Sequence, residues 1–253
     1  MKICVLIKQV PDKNSPLTIA GDHLSLLDNN ITWVSNESDN YALEEALQIR
    51  EANDEGEVVA VSLGPDRSQK VIREALAKGA DRGIHIQLDT AGMIDSLVTA
   101  SYFADTFKDE NFDLIFTGLQ SDDLGMGQTG IILGELLGMS TVSMAMATEV
   151  GGGKIKVKRE LEAGWFQWVS LSLPASVSIQ SGLNVPRYPS LKGIMGAKKK
   201  EIKVVTPSVA NQSQSVEKVY VPQSDKQTVM IEGSVEQIVG KLVETFRNEI
   251  KVL

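Results

Sequence analysis

The sequence has little of several residue types that many protein chemistries require. It contains one cysteine, Cys4, which excludes an internal disulfide and fits a reducing, cytoplasmic location. Its two histidines, His23 and His85, are isolated from each other and from the cysteine. Zinc and iron sites use clustered cysteine and histidine ligands, and nucleophilic catalysis needs a base beside the nucleophile. The sequence therefore predicts neither such a metal site nor a catalytic triad.

Long apolar runs and positive charge are also scarce. No apolar stretch approaches the length of a membrane-spanning helix, and the first ten residues lack a signal-peptide pattern. Lys and Arg number 25 against 33 Asp and Glu, which gives a formal net charge of −8. Because nucleic-acid phosphates would repel such a chain, we expect no nucleic-acid partner. Because no apolar run is long enough, we also expect no membrane insertion.

Strand and helix patterns alternate from residue 2 to residue 138. Apolar runs of strand length lie at 2–8, 57–63, 83–87 and 112–117, and segments with helical spacing lie at 41–52, 66–78, 92–107 and up to 138. Asp39 or Asn40 is predicted to cap the first helix, and Asp66 with Gln69 resembles a capping box. The alternation predicts an α/β fold: a Rossmann-like parallel sheet with helices on both faces.

The pattern changes after residue 140. Four further strands are predicted at 142–149, 154–161, 167–173 and 175–180, and residues 17–19 with 23–26 suggest a small hairpin. Residues 206–225 have few large apolar groups and suggest an extended arm. Ser234 and Gln237 then predict a capping box that opens an amphipathic terminal helix. We expect one domain over residues 1–205 and a C-terminal arm with its helix over residues 206–253.

One loop is the best candidate for ligand binding. In open α/β sheets ligands bind beyond the carboxyl ends of the strands, and the loops after Lys8, Leu63 and Thr117 meet that condition. The third loop, GLQSDDLGMGQT, contains three glycines and leads into a helix, where backbone N–H groups favour phosphate. Its neutral donors Gln120, Gln128 and Thr129 suit a nucleotide phosphate or ribose. A flexible surface turn is the alternative interpretation.

A second candidate is the segment 183–202, LNVPRYPSLKGIMGAKKKEI. Pro186 and Pro189 predict extended or turned backbone, and Ser190 is predicted to cap a short helix whose last turn carries three lysines. On these grounds alone the segment is either an ordinary loop with a solvated lysine face or an exposed functional element.

The stretch PRYPSLKGIMGAKKKEI resembles the signature of the beta subunit of electron-transfer flavoproteins. The segments YALEEAL at 41–47, GPDR at 64–67 and KGADR at 78–82 resemble the same family. The resemblance implies that 183–200 forms a protruding loop that binds a partner dehydrogenase. Leu191 would be its anchor, with Tyr188, Ile194 and Met195 as neighbouring docking residues.

The resemblance also implies the cofactors and the remaining partner. The chain would bind AMP structurally and pair with an alpha subunit that holds most of the FAD. Its own C-terminal arm and helix, residues 206–253, would dock on that subunit. It would be an electron carrier and would need no catalytic side chain. The implied nucleotide contacts are Leu6, Asn36, Glu37, Ser38, Asp39, Leu63, Gly118, Leu119, Gln120, Ser121, Asp122, Asp123, Leu124, Gly125, Met126, Gly127, Gln128 and Thr129.

The sequence departs from the family pattern at four positions. Glu37 and Ser38 replace a proline and an aromatic residue, Lys13 lies where some members have a tyrosine near the flavin, and Phe166 lies in a segment that replaces a family glutamate. Two alternatives are an electron-bifurcating flavoprotein with a second FAD in the AMP site, and a stand-alone nucleotide-binding sensor. The first usually has an Asp-Gly-Asp-Thr loop, whereas this sequence has Asp122-Asp123-Leu124-Gly125.

Overall fold

The computed structural model describes residues 1–53, 55–89, 94–208, 214–223 and 228–253. They form two compact units, residues 1–219 and 220–253. The strands of the first unit are β1 (Lys2–Leu6), β2 (Gln9–Pro11), β3 (Trp33–Ser35), β4 (Glu57–Gly64), β5 (Arg82–Gln87), β6 (Leu114–Gly118), β7 (Ser140–Gly151), β8 (Lys154–Glu160), β9 (Phe166–Ser172), β10 (Ala175–Ile179) and β11 (Ile202–Val205). Its helices are α1 (Glu37–Ala52), α2 (Gln69–Lys78), α3 (Ser96–Phe107), α4 (Thr129–Leu136) and α5 (Leu191–Ala197).

Nine of these strands form one sheet in the order β11-β5-β4-β1-β6-β10-β7-β8-β9. The pairs from β11 to β7 are parallel, whereas β7, β8 and β9 form an antiparallel extension. Strands β2 and β3 form a separate antiparallel pair. The predicted α/β fold with a mostly parallel sheet is confirmed.

Buried apolar side chains cover both faces of the central strands. On β1, Ile3 and Val5 pack with α1 and α2, whereas Cys4 and Leu6 pack on the opposite face with α3 and α4. Such strands read as continuous apolar runs because neither face meets water. The chain adds β4 and β5 on one side of β1 and β6 on the other, so the strand order reverses between β1 and β6.

Several boundaries differ from the sequence predictions. Helix α1 begins at Glu37 with Asn36 as its N-cap, so the predicted caps Asp39 and Asn40 are wrong. Strand β11 was not predicted, because its four residues include Lys203 and pair only with the distant β5. The predicted hairpin is reduced to a single bridge between Ile19 and Leu26.

Other differences concern helix ends and the arm. The lysines at 198–200 follow α5 instead of forming its last turn, and α3 begins at Ser96, since Asp95 accepts a hydrogen bond from the Val98 N–H at 2.8 Å. Residues 92–93 of that predicted helix lie outside the described residues. Within the predicted arm, residues 206–208 and 214–223 contain no helix or strand. Residues 209–213 and 224–225 of the arm are outside the described part of the chain.

The second unit contains α6 (Val235–Thr245), followed by a short π-helical turn, Phe246–Ile250. The predicted capping box is confirmed: Ser234 Oγ accepts from the Gln237 N–H, and Gln237 Oε1 accepts from the Ser234 N–H at 2.9 Å. Its apolar stripe is not covered within the unit; Val235, Val239, Leu242, Val243 and Phe246 are exposed.

Candidate functional site

The carboxyl ends of β1 and β6 lie side by side at the reversal of strand order. The loop of residues 118–129, here called the switch-point loop, leaves β6 and enters α4, and the first turn of α1 packs against it. Leu6 ends β1, and Leu63 lies near the end of the adjacent β4. The fold therefore brings the predicted positions from four chain segments to one edge of the sheet.

Asp39 links the two strand ends. One carboxylate oxygen accepts a hydrogen bond from the Lys8 N–H at 2.7 Å, and the other accepts from the Gly118 N–H at 3.0 Å. The side chain is buried, and burial raises its pKa from 3.8 to about 7, although the hydrogen bonds with Lys8, Asn36 and Gly118 act in the opposite direction. Asp39 is therefore a structural residue beneath the loop and not an exposed contact.

Asn36 and Ser38 hold the backbone of the switch-point loop. The Asn36 amide group donates to the Gln120 carbonyl at 3.0 Å, and its oxygen accepts from the Asp122 N–H at 2.9 Å. The Ser38 hydroxyl donates to the same Gln120 carbonyl at 2.8 Å. Both side chains are buried, so their polar atoms fix the path of the loop and leave its outer surface free.

Lys8 is a contributor that the sequence prediction missed. Its ammonium lies 2.7 Å from an Asp123 carboxylate oxygen and donates to Ser121 Oγ at 3.3 Å. Burial opposes ionisation of Asp123, but the Lys8 charge and the hydrogen bonds outweigh it and lower the pKa of that carboxyl. The only signal for this role was a lysine at the end of the predicted first strand, residues 2–8.

Gly118 allows α1 to approach the end of β6. A Cβ at this position would lie 2.2 Å from Ser38 Oγ and 2.3 Å from Asp39 Oδ1, so a larger residue would displace the first turn of α1. Residues 122–128 are exposed around this fixed base. The glycine was predicted for backbone approach to a ligand, but here it serves helix packing.

Two polar features at the start of α4 lack protein partners. The N-cap residue Gln128 makes no side-chain hydrogen bond to the first turn of the helix. The buried Thr117 hydroxyl has no hydrogen-bond partner among the described residues, and it lies 2.5 Å from where a Cβ on Gly130 would be. Free N–H groups at a helix start bind anions, so the start of α4 fits a phosphate, whereas the Thr117 hydroxyl is buried beneath α4. The described residues contain no group of His, Cys, Asp and Glu that could hold a metal ion.

The segment 183–200 presents apolar side chains to solvent. Tyr188 is 94% exposed and Leu191 is 83% exposed, and Ile194 and Met195 are exposed beside them. Ser190 caps α5 as predicted, since its hydroxyl accepts from the Gly193 N–H at 3.0 Å. All four predicted docking residues therefore lie on one short exposed stretch.

Polar contacts fix that stretch to α1. The Arg187 guanidinium donates to both Glu44 carboxylate oxygens, at 2.8 and 2.9 Å, and to both Glu51 oxygens, at 2.6 and 3.0 Å. Burial opposes ionisation of Glu44, but the Arg187 hydrogen bonds outweigh it and lower the pKa of Glu44. Asn184 donates to the Tyr41 carbonyl at 3.1 Å. The exposed apolar residues therefore sit on a fixed backbone.

Helix α5 is also fixed to α2. Arg73 donates to the Ala197 and Lys200 carbonyls, each at 2.7 Å. A Cβ on Gly193 would lie 2.2 Å from the Ala77 carbonyl oxygen, so glycine is required for this close packing.

The departures from the family pattern have simple local partners. Lys13 and Glu37 form an exposed ion pair of 3.5 Å, which contributes little to stability. Phe166 begins β9, and the Lys158 ammonium lies 4.2 Å from the centre of its ring. The Glu37 N–H also donates to an Asp122 carboxylate oxygen of the switch-point loop at 3.4 Å, whereas the contacts of the described residues join neither Lys13 nor Phe166 to that loop.

A parallel sheet whose strand order reverses, with a glycine-containing loop at the point of reversal, defines a class of α/β proteins. Proteins of this class bind ligands beyond the strand ends. Comparison with known proteins gives the family: a model described as the electron transfer flavoprotein domain matches residues 24–210. The chain belongs to the electron transfer flavoprotein beta subunits, which are electron carriers and not enzymes.

The relatives cover between 83% and 100% of the chain. The electron transfer flavoprotein subunit beta of Methylophilus methylotrophus is 34% identical, with 99% of each chain covered. That of Syntrophomonas wolfei is 35% identical over 100% of this chain and 98% of its own. That of Dictyostelium discoideum is 36% identical over 83% of each. Among the described residues, no helix has the length and apolar character to cross a membrane.

Proposed function

We propose that the switch-point loop binds the AMP moiety of a structural nucleotide. The observation that carries this proposal is the cradle formed by Asp39, Asn36 and Ser38, which fixes the loop from below while its outer backbone stays open. The nucleotide phosphate fits the start of α4, which lacks a side-chain cap and where helix N–H groups favour an anion.

The neutral and acidic side chains of the loop have different tasks in this proposal. Gln120, Gln128 and Thr129 supply uncharged groups for the phosphate and ribose. Asp123 is neutralised by Lys8, so its carboxylate does not repel the phosphate. Leu6 is buried in the core and Leu63 packs against it, so both contribute through their backbone.

The chain is proposed to act as one half of a cytoplasmic heterodimer. Its alpha subunit would hold most of the FAD, which supplies reversible electron acceptance when bound. Electrons would enter from flavin-dependent dehydrogenases and leave to a downstream acceptor, and transfer requires only that redox centres come close. The uncovered apolar stripe of α6 supports docking of the C-terminal unit on the alpha subunit.

The released small molecules provide the direct test. The chain is co-expressed with its alpha subunit, purified as the heterodimer and denatured, and the supernatant is separated by chromatography with mass detection. One FAD and one AMP per heterodimer are expected. Absence of both would contradict the proposal, and two FAD molecules would favour the electron-bifurcating alternative. A stable monomer or homodimer that never binds an alpha subunit would favour the sensor.

Dehydrogenase docking through Leu191 has its own prediction. Leu191→Ala should slow electron transfer from the dehydrogenase by about 30-fold, since an apolar anchor in a pocket contributes ~2 kcal/mol or more. Flavin and AMP content should not change, because Leu191 is fixed on α5 away from the loop. Leu17→Ala is a matched control, since this exposed leucine lies outside the segment. Equal rates for both variants would remove the anchor role.

A further inference from the structure

The two edges of the nine-stranded sheet are protected to very different degrees. Strand β11, at one edge, has only four residues, contains Lys203 and follows three consecutive lysines. Short length and lysine are two ways in which proteins prevent an edge from pairing with another chain. This edge is therefore closed to further strands.

Strand β9, at the other edge, has none of these protections. Its seven residues, FQWVSLS, include no charge, proline or glycine, and it pairs with β8 over its whole length without a register shift. Trp165, which precedes it, is 71% exposed, and Trp168 within it is 51% exposed. A regular, uncharged edge with exposed aromatic side chains favours addition of a strand.

The outward backbone groups of β9 can be assigned from its ladder. The Leu161 N–H bonds to the Trp165 carbonyl at 2.8 Å, and the Leu173 N–H bonds to the Gly153 carbonyl at 3.1 Å. Because bonded pairs alternate in an antiparallel ladder, the odd-numbered residues of β9 face β8. The N–H and C=O groups of Phe166, Trp168 and Ser170 therefore point away from the sheet.

Packing against the core holds β9 in place. Val169 and Leu171 pack against the main buried core, so β9 is not a loose flap. On the opposite face, three residues of β9 pair with three lysines of β8. The pairs are Trp168 with Lys158, Ser170 with Lys156, and Ser172 with Lys154. The Lys156 ammonium lies 3.7 Å from a carboxylate oxygen of Glu149 on β7, so Lys154 and Lys158 supply the positive charge of this lysine face on a chain of net charge −8.

We propose that the alpha subunit adds a β-strand to the edge of β9, with carboxylate side chains directed over the lysine face and an apolar side chain on Trp168. This inference rests on the proposed heterodimer. A second copy of this chain fits less well, because antiparallel pairing of two β9 strands would place both lysine faces on the same side of the joined sheet.

Amide hydrogen exchange in the FAD-containing heterodimer tests the proposal without any variant. The N–H groups of Trp168 and Ser170 are expected to exchange at least about 100-fold more slowly than unprotected amides, because they donate to the added strand. The Val169 N–H, which faces β8, is the internal reference for a protected amide. Unprotected exchange at Trp168 and Ser170 in a flavin-containing heterodimer would overturn this inference and leave the proposed function intact.

A pair of substitutions provides a second test. Ser170→Pro removes one outward donor and no bond to β8, so it is expected to raise the heterodimer dissociation constant about tenfold. Ser170→Thr keeps the donor and should stay within about twofold. An unchanged constant for Ser170→Pro would contradict strand addition. Protection of Trp168 in a homodimer of the isolated chain would contradict the alpha subunit as occupant, and failure to form any heterodimer would remove both proposals.

Discussion

The switch-point loop and the segment 183–200 are both supported by α1 but are built in opposite ways. The loop is held by the first turn of α1, where Asn36, Ser38 and Asp39 turn polar atoms inward to its backbone. The segment is held by carboxylates further along the helix, which bind Arg187 and leave apolar side chains outside. One surface therefore offers backbone groups, and the other offers side chains.

Because of this difference, the two surfaces should be sensitive to substitutions of different kinds of residue. In the loop, buried residues beneath the backbone should matter more than the exposed side chains of 122–128. In the segment, the exposed apolar side chains should matter directly for binding, and the polar residues should matter through position. Because the two sets of contacts lie at different parts of α1, single substitutions should damage one surface and spare the other.

Asp39→Ala should have the largest effect and should be confined to the loop. It leaves the Lys8 and Gly118 N–H groups without their acceptor, and each buried unsatisfied donor costs about 1–3 kcal/mol. We expect the free energy of unfolding, from urea titration, to fall by about 3 kcal/mol and the AMP content of the heterodimer to fall strongly. Docking to the dehydrogenase should persist. A variant that retains AMP would show that the loop does not depend on α1.

The raised pKa of Asp39 gives a pH test of the same contact. Burial raises it from 3.8 to about 7, so in that window the folded chain binds a proton that the unfolded chain releases. This contribution to stability is therefore complete below the lower value and is lost as pH rises through the upper one. Asp39→Asn should remove that loss.

Comparing the wild type with Asp39→Asn separates the contribution of Asp39 to stability from contributions of other carboxyl groups that have the opposite sign. Glu44, Glu110 and Asp123 have lowered pKa values in the folded chain, so they add stability as pH rises. We therefore expect the wild-type minus Asp39→Asn difference in unfolding free energy to decrease between about pH 4 and pH 7. A flat difference would place Asp39 in a more polar environment.

Arg187→Met should have a smaller effect, confined to the segment. It leaves the buried Glu44 carboxylate without its charged partner. Because Arg187 itself is partly exposed, we expect a loss of about 2 kcal/mol in unfolding free energy, the size of a hydrogen bond to a charged group. Electron transfer from the dehydrogenase should slow, whereas AMP content should not change. Arg187→Lys restores the charge but not the forked contact to two carboxylates. Its electron-transfer rate should therefore lie between those of the wild type and Arg187→Met. Loss of AMP in Arg187→Met would contradict the separation of the surfaces.

The sequence predicted those features that depend on local pattern. Apolar runs placed the central strands, and the Ser190 and Ser234 caps followed from residues within three positions. The location of the loop followed from a general rule for strand ends. Its support did not, because Lys8 and Asp123 are separated by 115 residues and meet only in the folded sheet.

Asp39 and β11 show why local pattern misleads. An aspartate near a helix start has the composition of a cap, but its carboxylate reaches two strand ends that only the fold brings within range. Strand β11 exists because β5 offers an unpaired edge, and its own four residues carry too weak a pattern to be recognised. In both cases the partner, and not the residue, decides the role.

The smallest expected effects come from two glycines of α5. Gly193→Ala would place a methyl group 2.2 Å from the Ala77 carbonyl oxygen, so α5 must move away from α2. We expect a loss of about 1–2 kcal/mol in unfolding free energy, as for overpacking elsewhere, and slower electron transfer because Leu191 moves with the helix. Gly196→Ala is the matched control, since no atom lies within 4 Å of the added Cβ. Its unfolding free energy should not fall, and any gain should stay within about 1 kcal/mol, the difference in helix propensity between Gly and Ala. If both variants transfer electrons like the wild type, the position of α5 would not matter, and the segment would act through flexible side chains instead of a fixed surface.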